Sequence, residues 1–449
     1  MASALATRIA AEHAAAADSL SADVVSLERR RAAIETLSTE GLPTTRDENW
    51  KYANLRPLEK VKFAPPAAAQ PGAGVTGADL PAAIEGYARY VFVDGVFAPA
   101  LSAAVTKSGI TVRSLRDAKN PASESASPVG SRKDVATLAD PAASRDARFA
   151  LLNDAFAIDG ASIRISAGTD CPTCIELVFV AHVESQAGSS YPRVELHVEP
   201  NARVGLIERH VSIGGGANFV NASVSVDIAR GATVNHYRVQ EAGTKAVWFD
   251  TLSAVLQQDA TYKLHGVNVG ALSARSTINV QLAGRGADVA ISMASLGDKQ
   301  QIQDAFVLVD HIAPYAKSQQ TFRGISAGRA RVGFNGMVVV RKDAKGTDSQ
   351  QSLRGLLAGP DAEIDVRPQL EIYTDDVRCA HGATAGKLDD NMLFYLLSRG
   401  IDAEMAQRLL KWAFLEDVVA RIEVPELRRQ IERSLAGQMK EAADLMELL

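Results

Sequence analysis

Residues 201–290 read NARVGLIERHVSIGGGANFVNASVSVDIARGATVNHYRVQEAGTKAVWFDTLSAVLQQDATYKLHGVNVGALSARSTINVQLAGRGADVA. A three-residue signature recurs in this stretch: alanine, a polar residue, then an apolar one, as Ala202/Arg203/Val204, Ala232/Thr233/Val234, Ala260/Thr261/Tyr262 and Ala287/Asp288/Val289. Asn, Gly or Asp stands ahead of each alanine, and successive alanines are 30, 28 and 27 residues apart. The same signature occurs earlier as Ala161/Ser162/Ile163 and later as Ala330/Arg331/Val332 and Ala362/Glu363/Ile364, after intervals of 43 and 32 residues. A period of this size means stacked supersecondary units.

The units are β. VELHVEP (194–200), SVSVDIA (223–229), STINVQL (276–282), DVAISMA (288–294) and GMVVVRK (336–342) alternate apolar and polar residues with period two, where helix pairs would repeat every 3.6. Propeller blades need about 40 to 45 residues and carry aromatic or Trp-Asp markers that do not occur here. A parallel β-helix fits: small residues take the corners, and inward Val, Ile and Leu stack on their copies in the next coil. With coils ~4.8 Å apart, about eight of them make a rod of roughly 35 to 40 Å. Such a rod ends in raw sheet edges that must be covered.

The flanks read differently. Residues 3–38 space Leu20, Val24, Leu27, Ile34 and Leu37 as a helical head. Pro43 and the Thr45/Glu48 capping-box spacing predict a short helix in TTRDENWKY, anchored by Trp50 and Tyr52. Residues 64–82 and 118–132 read as loops, and RYVFVDGVF as a hairpin with a type I′ turn at Asp94 and Gly95. At the other end, LDDNMLFYLLSRG predicts a helix with Leu388, Met392, Tyr395 and Leu396 apolar and Gly400 at its end. Asp402 caps a second helix bearing Met405, Leu409, Trp412, Leu415, Val419 and Ile422, and Pro425 opens a third with Leu427, Ile431, Leu435 and Met439. These helices are expected to cover one end of the rod. The implied division is 1–148 helical and mixed, 149–385 β-helix, and 386–449 C-terminal helical domain.

Composition narrows the function. The chain has 449 residues, with 48 Lys and Arg against 53 Asp and Glu for a net charge of −5, so no polycation exists for nucleic acid. Three cysteines cannot build a disulfide framework, no apolar run nears ~20 residues, and Glu12, Asp18 and Asp23 interrupt the Ala-rich start, which together predict a cytoplasmic protein without a membrane span. No G-x-x-x-x-G-K-S/T, G-x-S-x-G or H-E-x-x-H sequence occurs, so nucleotide is not bound here by a P-loop. A β-helix lyase or hydrolase for carbohydrate would need paired acids and stacking aromatics, yet aromatic residues are 6% of the chain.

The best candidate for chemistry is RPQLEIYTDDVRCAHGATAGKLDD, where Cys379 and His381 at i and i+2 share one face of a strand. Thiolate and neutral imidazole suit soft or borderline metals, but two ligands do not close a site. Other candidates read as structure. Cys171 and Cys174 form a C-x-x-C pair with no second knuckle. Gly214, Gly215 and Gly216 read as a corner, and His182, His197, His210, His236, His265 and His311 are scattered through strands.

RDENWKYANLRPL, FALLNDAFAIDG, LEIYTDDVRCAHGATAGKLDD and LLSRGI resemble the SufB/SufD family of iron–sulfur cluster assembly proteins, and the CAHGATAG form is most similar to its SufD branch. The resemblance implies a right-handed parallel β-helix flanked by α-helical regions, with no enzymatic activity of its own. It implies work in a complex with SufB and the ATPase SufC; identical chains could also pair through exposed coil edges, so a homodimer is expected when SufB is missing. His381 falls on the family's functional histidine, which implies a transient iron–sulfur cluster shared with SufB, its other ligands coming from the partner. Cys379 is then the lesser candidate, and a flavin is a further cofactor the resemblance admits. The helix from 402 to 422 matches the region that docks SufC, which nominates Asp402, Met405, Leu409, Trp412 and Glu416 as contacts. A β-solenoid adaptor without a metal role is the alternative.

Overall fold

The residue ahead of each repeated alanine has a positive φ: 57° at Asn201, 67° at Gly231, 53° at Asp259 and 70° at Gly286. Only Gly, and to a lesser degree Asn and Asp, adopts this left-handed conformation cheaply, which is why those residue types precede the alanines. The amide of each corner residue donates to a carbonyl one turn on, Asn201 to Arg230, Gly231 to Gln258, Asp259 to Arg285 and Gly286 to Pro314, at 2.9 to 3.1 Å. The corners thus stack through their own hydrogen bonds. The alanines that follow are fully enclosed.

The computed structural model describes residues 4–20, 22–65, 72, 74–105, 107–117, 145–182 and 188–439. The chain winds as a parallel β-solenoid of about 7 turns, and each turn gives one strand to each of two sheets. The first sheet runs through Asp170–His182, Arg203–Ile213, Thr233–Glu241, Thr261–Val269, Asp288–Gly297, Lys317–Ser326, Thr347–Leu357 and Val377–Gly386. The second runs through Ala161–Ile165, Arg193–Val198, Phe219–Ile228, Val247–Leu256, Ser273–Leu282, Ile302–His311, Arg331–Val340 and Glu363–Ile372. Perfect register stacks like on like: Val226, Ala254, Val280, Val309, Val338 and Leu370 form one inward column.

The irregular interval of 43 residues now has a cause. Ala316/Lys317/Ser318 opens the next first-sheet strand, but with serine in the apolar place, while Ala330 and Ala362 open strands of the second sheet. The expected 30-residue rhythm is therefore unbroken, only hidden where the interior turns polar.

The flanking helices lie on the outer faces. Helices α1 (Ala4–Ala16), α2 (Leu27–Glu40) and α3 (Arg148–Phe156) gather a core in which Leu37, Phe149, Leu152 and Phe156 meet Phe219 and Phe249 of the second sheet. The predicted head is thus two helices joined by a 3₁₀ turn, Ala17–Ser19, and an irregular link that still buries Leu20 and Val24. Trp50 anchors this core, stacked on Phe149 at 5.1 Å with the Arg275 guanidinium 4.4 Å from its ring. Its segment is a short 3₁₀ turn, Glu48–Trp50, closed by Thr44 and Asp47 rather than Thr45 and Glu48: the Thr44 amide donates to the Asp47 carboxylate at 2.7 Å. The Asp94–Gly95 hairpin forms as expected, with φ of 50° and 84°. The loop expected over 118–132 lies outside the described residues, as does part of the one over 64–82.

After the solenoid come α4 (Asp390–Ser398), α5 (Ala403–Val419) and α6 (Pro425–Gln438), with Asp389 and Asp402 as N-caps and Gly400 at φ 86° closing α4. Their expected place over the rod's end is corrected. Trp412, Leu415, Val418, Leu427, Ile431 and Leu435 pack against Ile207, Tyr237, Val239, Val267, Val269 and Leu296 on the outer face of the first sheet. Those strands are apolar on both faces, and it is this outer apolar face that draws the helices away from the end. At the solenoid's start, Ala88–Val93 adds a parallel strand to one sheet and Ile110–Ser114 an antiparallel one to the other. No strand among the described residues pairs beyond Val377–Gly386 or Glu363–Ile372.

Candidate functional site at the open end

Cys379 and His381 stand on that last first-sheet strand, in register with Ser349 and Gln351 one turn below. Ser349 is 0% and Gln351 4% exposed, so this face of the strand looks into the solenoid. Register carries Cys379 and His381 onto the same inward face, but nothing lies above them: Cys379 is half-buried and His381 exposed. Burial, then the negative charge of Asp348, push the Cys379 thiol above its ordinary value. It therefore stays protonated near neutrality.

Beneath the pair the interior is polar in two columns. Under Cys379, His311 Nε2 lies 2.8 Å from Ser318 Oγ, and Ser318 Oγ donates to Ser349 Oγ at 2.8 Å. Burial pushes the His311 imidazole down to about 4. Under His381, Gln351 Nε2 donates to Gln320 Oε1 at 3.2 Å and to the Gly336 carbonyl at 2.9 Å. Sequence reasoning missed both columns, because residues 30 apart give no local pattern; the register 320, 351, 381 was the available signal.

Among the described residues no group of three or more His, Cys, Asp or Glu side chains is gathered to hold a metal ion. This end of the chain offers two ligands of the right chemistry, an open coil and the exposed apolar side chains of α4, Met392 57%, Phe394 71% and Tyr395 56% exposed.

A family model described as SUF system FeS cluster assembly, SufBD core domain, matches residues 180–414, and one for the SufBD protein N-terminal region matches residues 7–177. This chain belongs to the SufBD family. The SufBD chain is 29% identical to iron–sulfur cluster assembly protein SufD of Escherichia coli over 89% of each chain. It is 27% identical to a SufBD family protein of Synechocystis, over 92% of this chain and 91% of that one. A chloroplastic protein of Arabidopsis thaliana, ABCI7, is 29% identical over 55% of this chain and 53% of its own. Iron–sulfur cluster assembly in the SUF system is thus the setting in which the open end has to be understood.

The remaining candidate residues of this SufBD protein fall into place around it. On α5, Trp412 is buried and half-buried Leu409 packs beside it against the first sheet, so both contribute to the helix's own seating. Asp402 is exposed and caps the helix, accepting from the Met405 amide at 2.9 Å. Met405 and Glu416 are half-buried, and burial followed by the nearby Glu432 raises the Glu416 carboxyl. Cys171 and Cys174 straddle a bulge at the far end of the solenoid, with Cys174 fully buried and its thiol pushed up by burial.

The other histidines are structural or paired. His210 and His236 reach the two oxygens of Glu208 at 2.6 and 3.1 Å, and Arg238 bridges Glu208 and Asp250 at 2.8 and 2.6 Å. Burial alone would raise Glu208, but Arg238 and the two imidazoles outweigh it and hold the carboxylate well below its usual range. This buried, charge-paired cluster lies within the solenoid, with His210 Nδ1, Arg238 Nε and Asp250 Oδ1 left without a partner. No helix among the described residues is long and apolar enough to cross a membrane.

Proposed function

We propose that this SufBD chain is a non-enzymatic scaffold subunit whose open coil completes a cluster-forming site with SufB, His381 supplying one ligand and SufB a cysteine thiolate. The observation that carries the reading is the pairing of an incomplete ligand set with an uncovered strand edge: Cys379 and His381 face inward on a last strand that no other strand among the described residues covers. A shared site needs both features at once. Iron in clusters ordinarily takes thiolate, and imidazole replaces it in Rieske centres. Cys379, protonated and half-buried, is the second candidate and acts only once a cation displaces its proton.

The exposed edges and the apolar residues of α4 form the surface that meets SufB, or a second copy of this chain when SufB is missing. The SufC ATPase docks on α5, on the side away from Trp412, where Asp402, Glu404 and Gln407 are exposed. ATP binding by SufC then shifts the SufB contact through differential contacts in the two states. Three free cysteines suit a reducing cytoplasm.

The test is anaerobic co-expression with SufB and SufC, followed by iron and sulfide analysis of the purified complex. Iron and sulfide that appear with the heteromeric complex and are absent from this chain alone support the shared site. A complex that forms without either would make the chain a structural adaptor.

A further inference from the structure

We propose that Gln351 is a positioning residue for His381: its side-chain oxygen, unpaired in this structure, is the acceptor offered to one imidazole N–H, which would leave the other nitrogen bare for a metal. The inference rests on the proposed ligand role of His381, but it stands on separate geometry.

The Gln351 amide is fixed from below. Its nitrogen carries two hydrogens, and both are used, one on Gln320 Oε1 and one on the Gly336 carbonyl. Turning the amide over would set its oxygen against that carbonyl, so the orientation is determined. Gly336 is part of the arrangement, since a Cβ there would meet Gln320 Oε1 at 2.5 Å and Gln351 Nε2 at 2.8 Å. Any other residue at 336 would break the amide pair.

What remains is Gln351 Oε1, buried and without a partner in a side chain that is 4% exposed. A buried acceptor left without a partner is unfavourable, because it has lost water and gained nothing in return. The residue in register on the next turn is His381. A neutral imidazole has one N–H and one bare nitrogen, and giving the N–H to Gln351 fixes which is which. Partners that hold an imidazole in this way orient it and set its tautomer, and their loss typically weakens metal affinity about 10- to 100-fold.

The experiment is long-range proton–nitrogen correlation on the full chain labelled with ¹⁵N-histidine, at pH 8, with His381 assigned by His381→Asn. The expected wild-type spectrum shows His381 as one tautomer, with one protonated and one bare nitrogen. Gln351→Met keeps the volume and removes the acceptor; the two nitrogens should then average, while the other seven of the chain's 8 histidines keep their shifts. Averaged nitrogens in the wild type overturn the inference, as does an unchanged His381 in Gln351→Met with the other seven in place. If Gln351→Met disturbs those seven, the wild-type spectrum alone decides. A single tautomer lost in Gln351→Met, in a protein whose cluster assembly ignores His381→Ala, would support the hydrogen bond and remove the ligand role, so the two failures are separately visible.

Discussion

His311 and His265 sit neutral inside the fold, each pushed by burial from 6.5 to about 4. The unfolded chain takes up their protons first, so the stability they allow is complete above about 6.5 and is lost as pH falls toward 4. Between pH 7 and pH 5 the loss is roughly 2 kcal/mol per histidine. Urea unfolding at the two pH values should show that fall, and a substitution His311→Gln should flatten part of the slope; equal stability at both pH values would contradict the burial argument. At this scale the Cys379/His381 pair was legible, because period two fixes which side chains share a face. Gln351 was not, since its bearing on His381 comes from a register set by every corner between them. Where Trp412 packs was not legible for a related reason: helical spacing marks an apolar stripe but not which surface receives it.

The corners govern the elements. Gly346, φ 70°, opens the penultimate first-sheet strand, and its amide donates to the Asp376 carbonyl at 2.7 Å, which seats the corner of the strand that bears His381. A Cβ on Gly346 would meet the Tyr315 ring at 2.6 Å. Gly346→Ala should cost about 1–2 kcal/mol from its backbone conformation alone, measured by denaturant unfolding. A neutral effect would mean the corner relaxes freely. Tyr315 holds the same conformation, φ 60°, without being glycine, and Arg285 lies 4.2 Å over its ring. Corner, alternation and capping signals are local, so the solenoid, the Asp94–Gly95 hairpin and the starts of α4, α5 and α6 could be read directly. The two-sheet winding could not, because Ala316/Lys317/Ser318 hides one corner behind a serine. Where α5 and α6 dock could not be read either, since it depends on strands that are apolar on both faces. Replacing Trp412 with alanine should cost about 3–5 kcal/mol, in contrast to near-neutral changes at exposed Gln407.

As a whole the molecule is asymmetric: added strands close the first turn, helices cover the outer faces, and the last turn stays open beside the apolar residues of α4. Changing Met392, Phe394 and Tyr395 together to serine should leave thermal stability nearly unchanged while weakening association with SufB, or with a second copy, as read by sedimentation velocity. Undiminished association would move the contact elsewhere. Family membership was legible from short motifs, while the open end was not, because it is defined by what fails to cover it. The central claim is that this end shares a cluster with a partner through His381. The most direct measurement is cluster content and assembly rate in the anaerobic complex with SufB and SufC carrying His381→Ala. The account predicts a complex that still forms but accumulates cluster at least about tenfold more slowly; a normal rate and normal iron and sulfide content would contradict it.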